Sequence, residues 1–404
     1  MRDPTDSTDP TIIPWYRPVG PRDPAQPHRQ ATFLELLFDL CFVVAVAYAA
    51  AGLHHAIAEN RPGTGIASYL TVFFAIWWAW MNFSWHASAY DNDDGVYRLA
   101  TMVQIAGALV MAAGIPRAFE IGQFDVTFVG YLFMRAGLGF LWLRAAKAHP
   151  ACRRTCRRYA AGITGAMLGW SVMFFAGEWP LWGWWLMALA ELAVPVWAER
   201  ASATPWHARH IAERYGLFTI FVLGESVFAG TVAVREGIEG HGFSGRLLAL
   251  IAGGLVILFS LWWIYFAKPA HRFLRSNRVA FVWGYGHYFI FAAAAAVGAG
   301  LAVNVDYILG VAAINQRLAA SAISVPVALF LLTVWILHVR PHLPWLGLSF
   351  LFPVAITGVL AATFSSWPAP TVGAVLAVFL GVELWLANRR FKRLVSAPTG
   401  PDGA

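Results

Sequence analysis

Charge is what this sequence has least of. Asp, Glu, Lys and Arg make up 13% of the 404 residues, about half the ~25% share of a soluble globular chain. Apolar residues make up 59% and mean hydropathy is +0.58. Such a chain has too little polar surface to face water on all sides, which excludes an ordinary soluble domain. Cysteine is scarce too. Cys41, Cys152 and Cys156 are too few and scattered for a disulfide framework, and no second pair completes Cys152 and Cys156 as a metal site. Also missing are a P-loop lysine signature, HExxH, GxSxG and a haem or iron–sulfur ligand set. No cofactor is expected, and an enzyme or a pump with its own nucleotide site is disfavoured. The ~10-residue alternating segments of a β-barrel are absent.

What the chain has instead is apolar runs of roughly 18 residues or more, recurring from residue 33 to 387. Each is long enough to cross a ~30 Å hydrocarbon core at 1.5 Å rise per residue. The fold class this predicts is all-α: a polytopic membrane protein of about 12 transmembrane helices. The spans fall at 33–57, 66–88, 96–114, 124–143, 157–176, 180–198, 212–234, 245–267, 279–302, 312–337, 344–364 and 370–388. Residues 1–32, rich in Pro, Asp, Thr and Arg, carry neither a secretory signal nor an anchor and read as a disordered cytoplasmic arm. Residues 391–404 read as a cytoplasmic tail.

Twelve spans put both termini on one side. Lys and Arg in short loops favour the cytoplasm, and 23 of them fall on the terminal side against 5 opposite, with Arg135 left inside the fourth span. The expected location is therefore the cell membrane, multi-pass, with both termini cytoplasmic. The net charge of +7 then reflects topology and contact with the lipid bilayer, and nucleic acid is not an expected partner.

An internal repeat is suggested by two aromatic stretches, FAIWWAWMNFSWH from Phe74 and FSLWWIYFAKPAH from Phe259. Phe74, Trp77, Trp78, Trp80 and His86 map onto Phe259, Trp262, Trp263, Tyr265 and His271 at an offset of 185, and Asp39 maps onto Glu225 at 186. Two parallel six-helix repeats, 33–200 and 201–390, related by an axis along the membrane normal, would account for this. The plainer account is coincidence in a chain with 20 Trp. The small residues Gly216, Gly224, Gly230 and the run AAAAAVGAG read as close helix approaches.

Ionisable groups in membrane helices cost at least ~2.5 kcal/mol and usually face a bundle interior or cavity. The pathway candidates are Glu35, Asp39, Glu213, Glu225 and His287, with ions passing between the repeats. A supporting polar cluster is formed by Asn82, His86, Asp91, Asp94, Arg98, Gln104, Arg135, Glu191 and His271. At 1.5 Å per residue Asp39 lies about 9 Å into the first span, at a depth that Asn82 and Gln104 can share. Asp39 reads equally as a satisfied carboxylate, Arg135 more readily as a fold-pinning cation paired with Glu191, and His86 and His271 as interfacial residues. The acidic run from Asp91 to Gly95 lacks EF-hand spacing and reads as a turn and cap, with Asp94 and Arg98 one turn apart.

FLELLFDLCFVVAVAY, YDNDDGVYR, HARHIAERYGLFTIFVLGES and LWWIYF resemble, in order and spacing, the signature segments of the bacterial low temperature requirement A (LtrA) family. The resemblance runs from about residue 33 to 302 and weakens over the last three helices. Its most specific parts are Glu35 with Asp39, the acidic loop at Asp91, Asp93 and Asp94, and Glu213, Arg214, Gly224 and Glu225. Leu37 and Cys41 stand where the family more commonly has Phe and Val. The resemblance implies an integral membrane protein linked by name to growth in the cold, and it supplies no reaction. Asp39 with Phe42 and Glu225 with Phe228 also resemble a spacing in potassium channels built from two six-helix repeats, although the Phe-Ser pair of that motif is missing. The function expected is a cation or proton channel or transporter, with monovalent cations or protons as partners and a homo-oligomer as one assembly. The alternative is a non-transporting membrane scaffold or sensor involved in cold adaptation.

Overall fold

A computed structural model describes residues 13–26, 29–242, 244–272, 274–341 and 348–395. Among them there are twelve α-helices and no strand. In chain order these are α1 (Phe33–Ala58), α2 (Pro62–Tyr90), α3 (Gly95–Glu120), α4 (Asp125–Ala148), α5 (Arg153–Ala176), α6 (Leu181–Glu199), α7 (Ala208–His241), α8 (Gly245–Phe266), α9 (Asn277–Leu309), α10 (Gln316–Val334), α11 (Leu351–Ala361) and α12 (Pro368–Val395). A π turn, Trp335–Val339, continues α10. Eleven of these helical segments are long and apolar enough to cross a membrane; the shorter apolar segment is Leu351–Phe364. The start of the predicted 344–364 span lies outside the described residues.

Local chemistry sets several boundaries. Asp94 caps α3 by accepting the Tyr97 N–H at 2.8 Å, Ser244 caps α8 through Leu247 N–H, and Asn315 caps α10 through Leu318 N–H. Each side chain satisfies an amide that the first turn would otherwise leave bare. At the far end of α5 the chain turns through Gly177 at φ +69°, a conformation only glycine adopts at no steric cost.

The chain divides into two compact units. One holds residues up to Gly52, Gly63–Phe221 and His271–Ala280; the other holds Leu53–Pro62, Val222–Ala270 and Phe281 onward. In the first, α3 and α4 cross where a Cβ on Gly130 would stand 2.2 Å from Met111 N, so only glycine permits that approach. In the second, Gly300 of the Ala-rich α9 meets the Ala322 carbonyl of α10 in the same way, the close packing expected for that run. Gly224 and Gly230 are different: a Cβ on either would enter open space, so neither is a helix-contact glycine.

The matched aromatic stretches occupy unlike surroundings. Trp77, Trp78 and Trp80 are fully buried, whereas Trp262 and Trp263 are 48% and 46% exposed; Tyr265 is buried. A packed Trp fills core volume and an outward one meets lipid, so sequence likeness here does not carry over into equal packing.

Residues 13–26 and 29–32 depart from the disorder expected of the N-terminal arm. Gly95 and Val96 N–H groups bond the carbonyls of Pro14 and Trp15, and Arg22 N–H bonds Ala89 O. Val19 sits in an apolar cluster with Tyr90, Leu138, Trp142 and Tyr159. Arg29 is buried and donates to the carbonyls of Ala87 (2.6 Å) and Ser88 at the end of α2. The segment has no helical periodicity to announce it because its order comes from contacts with the ends of helices distant in sequence.

Candidate functional site

The most heavily charged interior point of the first unit joins α1 to α7. Glu35 and Asp39, one turn apart on α1, face His210 and Arg214, one turn apart on α7; all four are fully buried. Arg214 grips Asp39 with two hydrogen bonds, Nε to Oδ2 at 3.1 Å and Nη2 to Oδ1. Its Nη1 lies 2.9 Å from Glu35 Oε1, an ion-pair contact without hydrogen-bond alignment. Trp80 of α2 donates its indole N–H to Asp39 Oδ1 at 2.7 Å. His210 Nε2 contacts Glu35 Oε2 at 3.2 Å. Glu35 Oε2 also accepts Thr32 N–H at 2.8 Å while Thr32 Oγ1 accepts Glu35 N–H at 3.3 Å, a capping box that opens α1. One guanidinium thus contacts two carboxylates, each with further donors. Such a cluster is costly to assemble in the interior and costlier to break.

The remaining candidates are distributed as follows. Glu213, half-buried, accepts Ala31 N–H at 3.4 Å. Asn82 and Gln104 bond back to Trp78 and Ala100 on their own helices, so neither bonds Asp39 as the depth argument suggested. The His86 ring packs against Trp142 at 4.8 Å between centroids and is buried; it is not an interfacial residue by exposure. Arg98 pairs with Asp93 (2.8 Å), not with Asp94. Asp94 instead caps α3, accepts Arg17 N–H at 2.7 Å and pairs with buried Arg144. His271 lies partly exposed in a turn of Ala270–Arg272. Arg144 and Arg214, counted among the loop cations, are interior ion-pair partners.

A further buried ion pair forms between Arg135 of α4 and Glu191 of α6, as the sequence suggested. Three neutral donors reinforce the carboxylate: Trp78 at 2.8 Å, Tyr131 at 2.9 Å and Trp170 at 3.3 Å.

Asp91, in the connection from α2 to α3, is 4% exposed and bonded to Asp93 N–H at 3.0 Å. Burial pushes its carboxyl up to about 7, helped by the negative charge of Glu35 and opposed by Arg29. Between the ordinary carboxylate range and that value the folded chain keeps a proton the unfolded chain has released. The stability Asp91 contributes is therefore expected to fall as pH rises from about 4 to about 7 and then level off. Thermal melting in detergent across this range checks it, and Asp91→Asn should flatten the slope.

In the second unit, His287 of α9 makes two contacts. Its Nδ1 lies 2.7 Å from the Trp283 carbonyl and so carries the proton; Nε2, 3.0 Å from Tyr265 Oη, accepts. Trp283 donates to His338 Nε2 at 3.2 Å within the π turn. Glu225 of α7 is 8% exposed and has no hydrogen-bond or ion-pair partner among the described residues, its Oε2 wholly enclosed.

Thr32, His210 and Arg214 are the site residues that inspection for lone intramembrane charges passes over. Their signals were the Thr-x-x-Glu box and the matching spacing of four in Glu35/Asp39 and His210/Arg214.

Helices of this length and apolarity, tied by buried carboxylate–arginine pairs, define a multi-pass helical membrane protein. The family model described as bacterial low temperature requirement A protein (LtrA) matches residues 30–383. The chain belongs to that family, and the match extends into α12, beyond the reach of the signature segments. It is also similar to an uncharacterised protein of Rhizobium meliloti (strain 1021), with 27% identity over 387 residues, covering 88% of each chain.

Proposed function

We propose that this membrane protein carries protons or a monovalent cation, with Glu225 as the carboxyl that takes up the ion and the Glu35–Asp39–Arg214–His210 cluster as a fixed ionic lock. The observation that carries this reading is the isolation of Glu225. It stands 17 residues past Ala208, about 25 Å along the helix axis, buried and without a partner among the described residues. An ionised carboxylate so placed costs several kcal/mol. The group therefore holds a proton or awaits a cation, and exchange between the two is what a carrier requires. Asp39 is a poorer carrier, because Arg214 and Trp80 already occupy its oxygens. His287, bonded on both nitrogens, is a supporting polar group. The duplicated halves and cytoplasmic termini belong to this proposal.

Purified protein in liposomes loaded with pH- or potassium-sensitive dye tests it. Glu225→Gln should abolish flux and leave the elution profile in detergent unchanged. Wild-type flux retained in Glu225→Gln would reject the assignment.

The saturation of Glu35, Asp39, Glu191 and Asp94 by arginines favours a second reading, a non-transporting scaffold or sensor. Wild-type liposomes without flux for any monovalent cation or proton would support it.

A further inference from the structure

The second unit contains a half-open cavity of about 280 Å³ between α7, α8 and α9. Ser226, Gly230, Gly254, Leu258, Leu301 and Val305 represent its walls. Its hydroxyls are spent. Ser226 Oγ donates within reach of the Val222 and Ala294 carbonyls, and Thr231 Oγ1 donates to Val227 O. A buried water needs two to four polar partners, and this cavity presents too few, so its occupant is apolar. The α8 wall runs from Leu250 to Leu258, about 12 Å along the helix, an elongated slot in helices that span the bilayer.

A cation stands beside one end of the slot. Leu250 also walls a small recess whose lining includes Arg246, Asn304, Gln316 and Trp367. Arg246 is exposed in the first turn of α8, one turn before Leu250, with its guanidinium 5.9 Å from the Trp367 ring. The positive end of the α8 dipole adds to its charge. On α9, Asp306 follows Val305 of the slot wall and is engaged by His54 Nε2 at 2.7 Å.

We propose that this slot binds one acyl chain of an anionic glycerophospholipid, with the headgroup phosphate on Arg246. The chain supplies the apolar filling, and the phosphate matches Arg246, the one charged residue lining the recess that adjoins the slot at Leu250. Small residues on α7 and α8 make the room. A Cβ on Gly230 meets nothing within 4 Å, so a larger side chain there would occupy the slot without displacing its neighbours.

Native mass spectrometry of the detergent-purified protein, titrated with palmitoyl-oleoyl phosphatidylglycerol, reads the outcome directly. One lipid should bind, in preference to the phosphatidylcholine of the same chains. Gly230→Leu should weaken binding about tenfold or more, and it should fold, because leucine is a better helix former than glycine; a melting curve checks this. Arg246→Gln, at an exposed position, should weaken phosphatidylglycerol several-fold and leave phosphatidylcholine unaltered. Undiminished binding in Gly230→Leu overturns the proposal, since a headgroup held at the surface would then suffice. Equal affinity of Arg246→Gln and wild type for phosphatidylglycerol overturns it from the other side.

Discussion

Arg214→Met is expected to remove about 3–5 kcal/mol of stability, the cost of leaving a buried ion pair without one partner. Here the loss falls on two carboxylates at once. Asp39 would keep only the Trp80 indole, and Glu35 would keep Thr32 N–H and His210. Neither oxygen set can reach water, because all of these side chains are buried. Asp39→Asn should cost less, since Arg214 retains Glu35 at 2.9 Å. The triple variant Glu35→Gln, Asp39→Asn, Arg214→Met should recover much of the loss, because a buried cluster replaced whole by neutral groups is often neutral in stability. Fluorescence-detected size exclusion after a heating series gives the ranking. A single Arg214→Met variant melting with the wild type would show that the cluster holds nothing together. This ordering is independent of transport, so it separates the lock from the carrier role given to Glu225.

The helices were legible because bilayer crossing is a property of local composition. Twelve apolar runs predicted twelve helices; the starts capped by Asp94 and Ser244 fall within a residue of the predicted 96 and 245, whereas α9 and α12 run seven residues past the predicted 302 and 388. The pairing of Arg135 with Glu191 was also legible, since two opposite charges stranded in apolar spans have few alternatives. What composition could not convey was which helix faces which. Asp39 is visible as a carboxylate, but its cation lies 175 residues away on α7, at a position that the loop charges alone assign to the cytoplasmic side. The N-terminal arm was misjudged for a related reason. Pro, Asp and Arg predict little intrinsic order, yet Arg17, Val19 and Arg29 are fixed by the helix ends and core residues they meet. Depth along a helix, likewise, placed Asn82 and Gln104 near Asp39 without saying that their amides would bond their own helices.

Glu191→Gln should be the most damaging change at the second ion pair, also by about 3–5 kcal/mol, and more damaging than Arg135→Met. The asymmetry follows from what each partner retains. Without Arg135, the Glu191 carboxylate still accepts from Trp78, Tyr131 and Trp170, and bonds to a charged acceptor are worth about 1.5–3 kcal/mol each. Without the carboxylate, Arg135 has little left. Its Nε and Nη1 already lack hydrogen-bond partners among the described residues, and its remaining contact is the Tyr131 ring, 5.3 Å from the guanidinium carbon. A glutamine at 191 also turns an NH2 toward a site built of donors, so at least one of the three neutral bonds becomes donor against donor. Trp78→Phe, which deletes a single bond and keeps most of the ring volume, should fall well below both. Melting temperatures in detergent should therefore drop in the order Glu191→Gln, Arg135→Met, Trp78→Phe. If Arg135→Met proved the worst of the three, the carboxylate would depend on the guanidinium alone and the three donors would be bystanders.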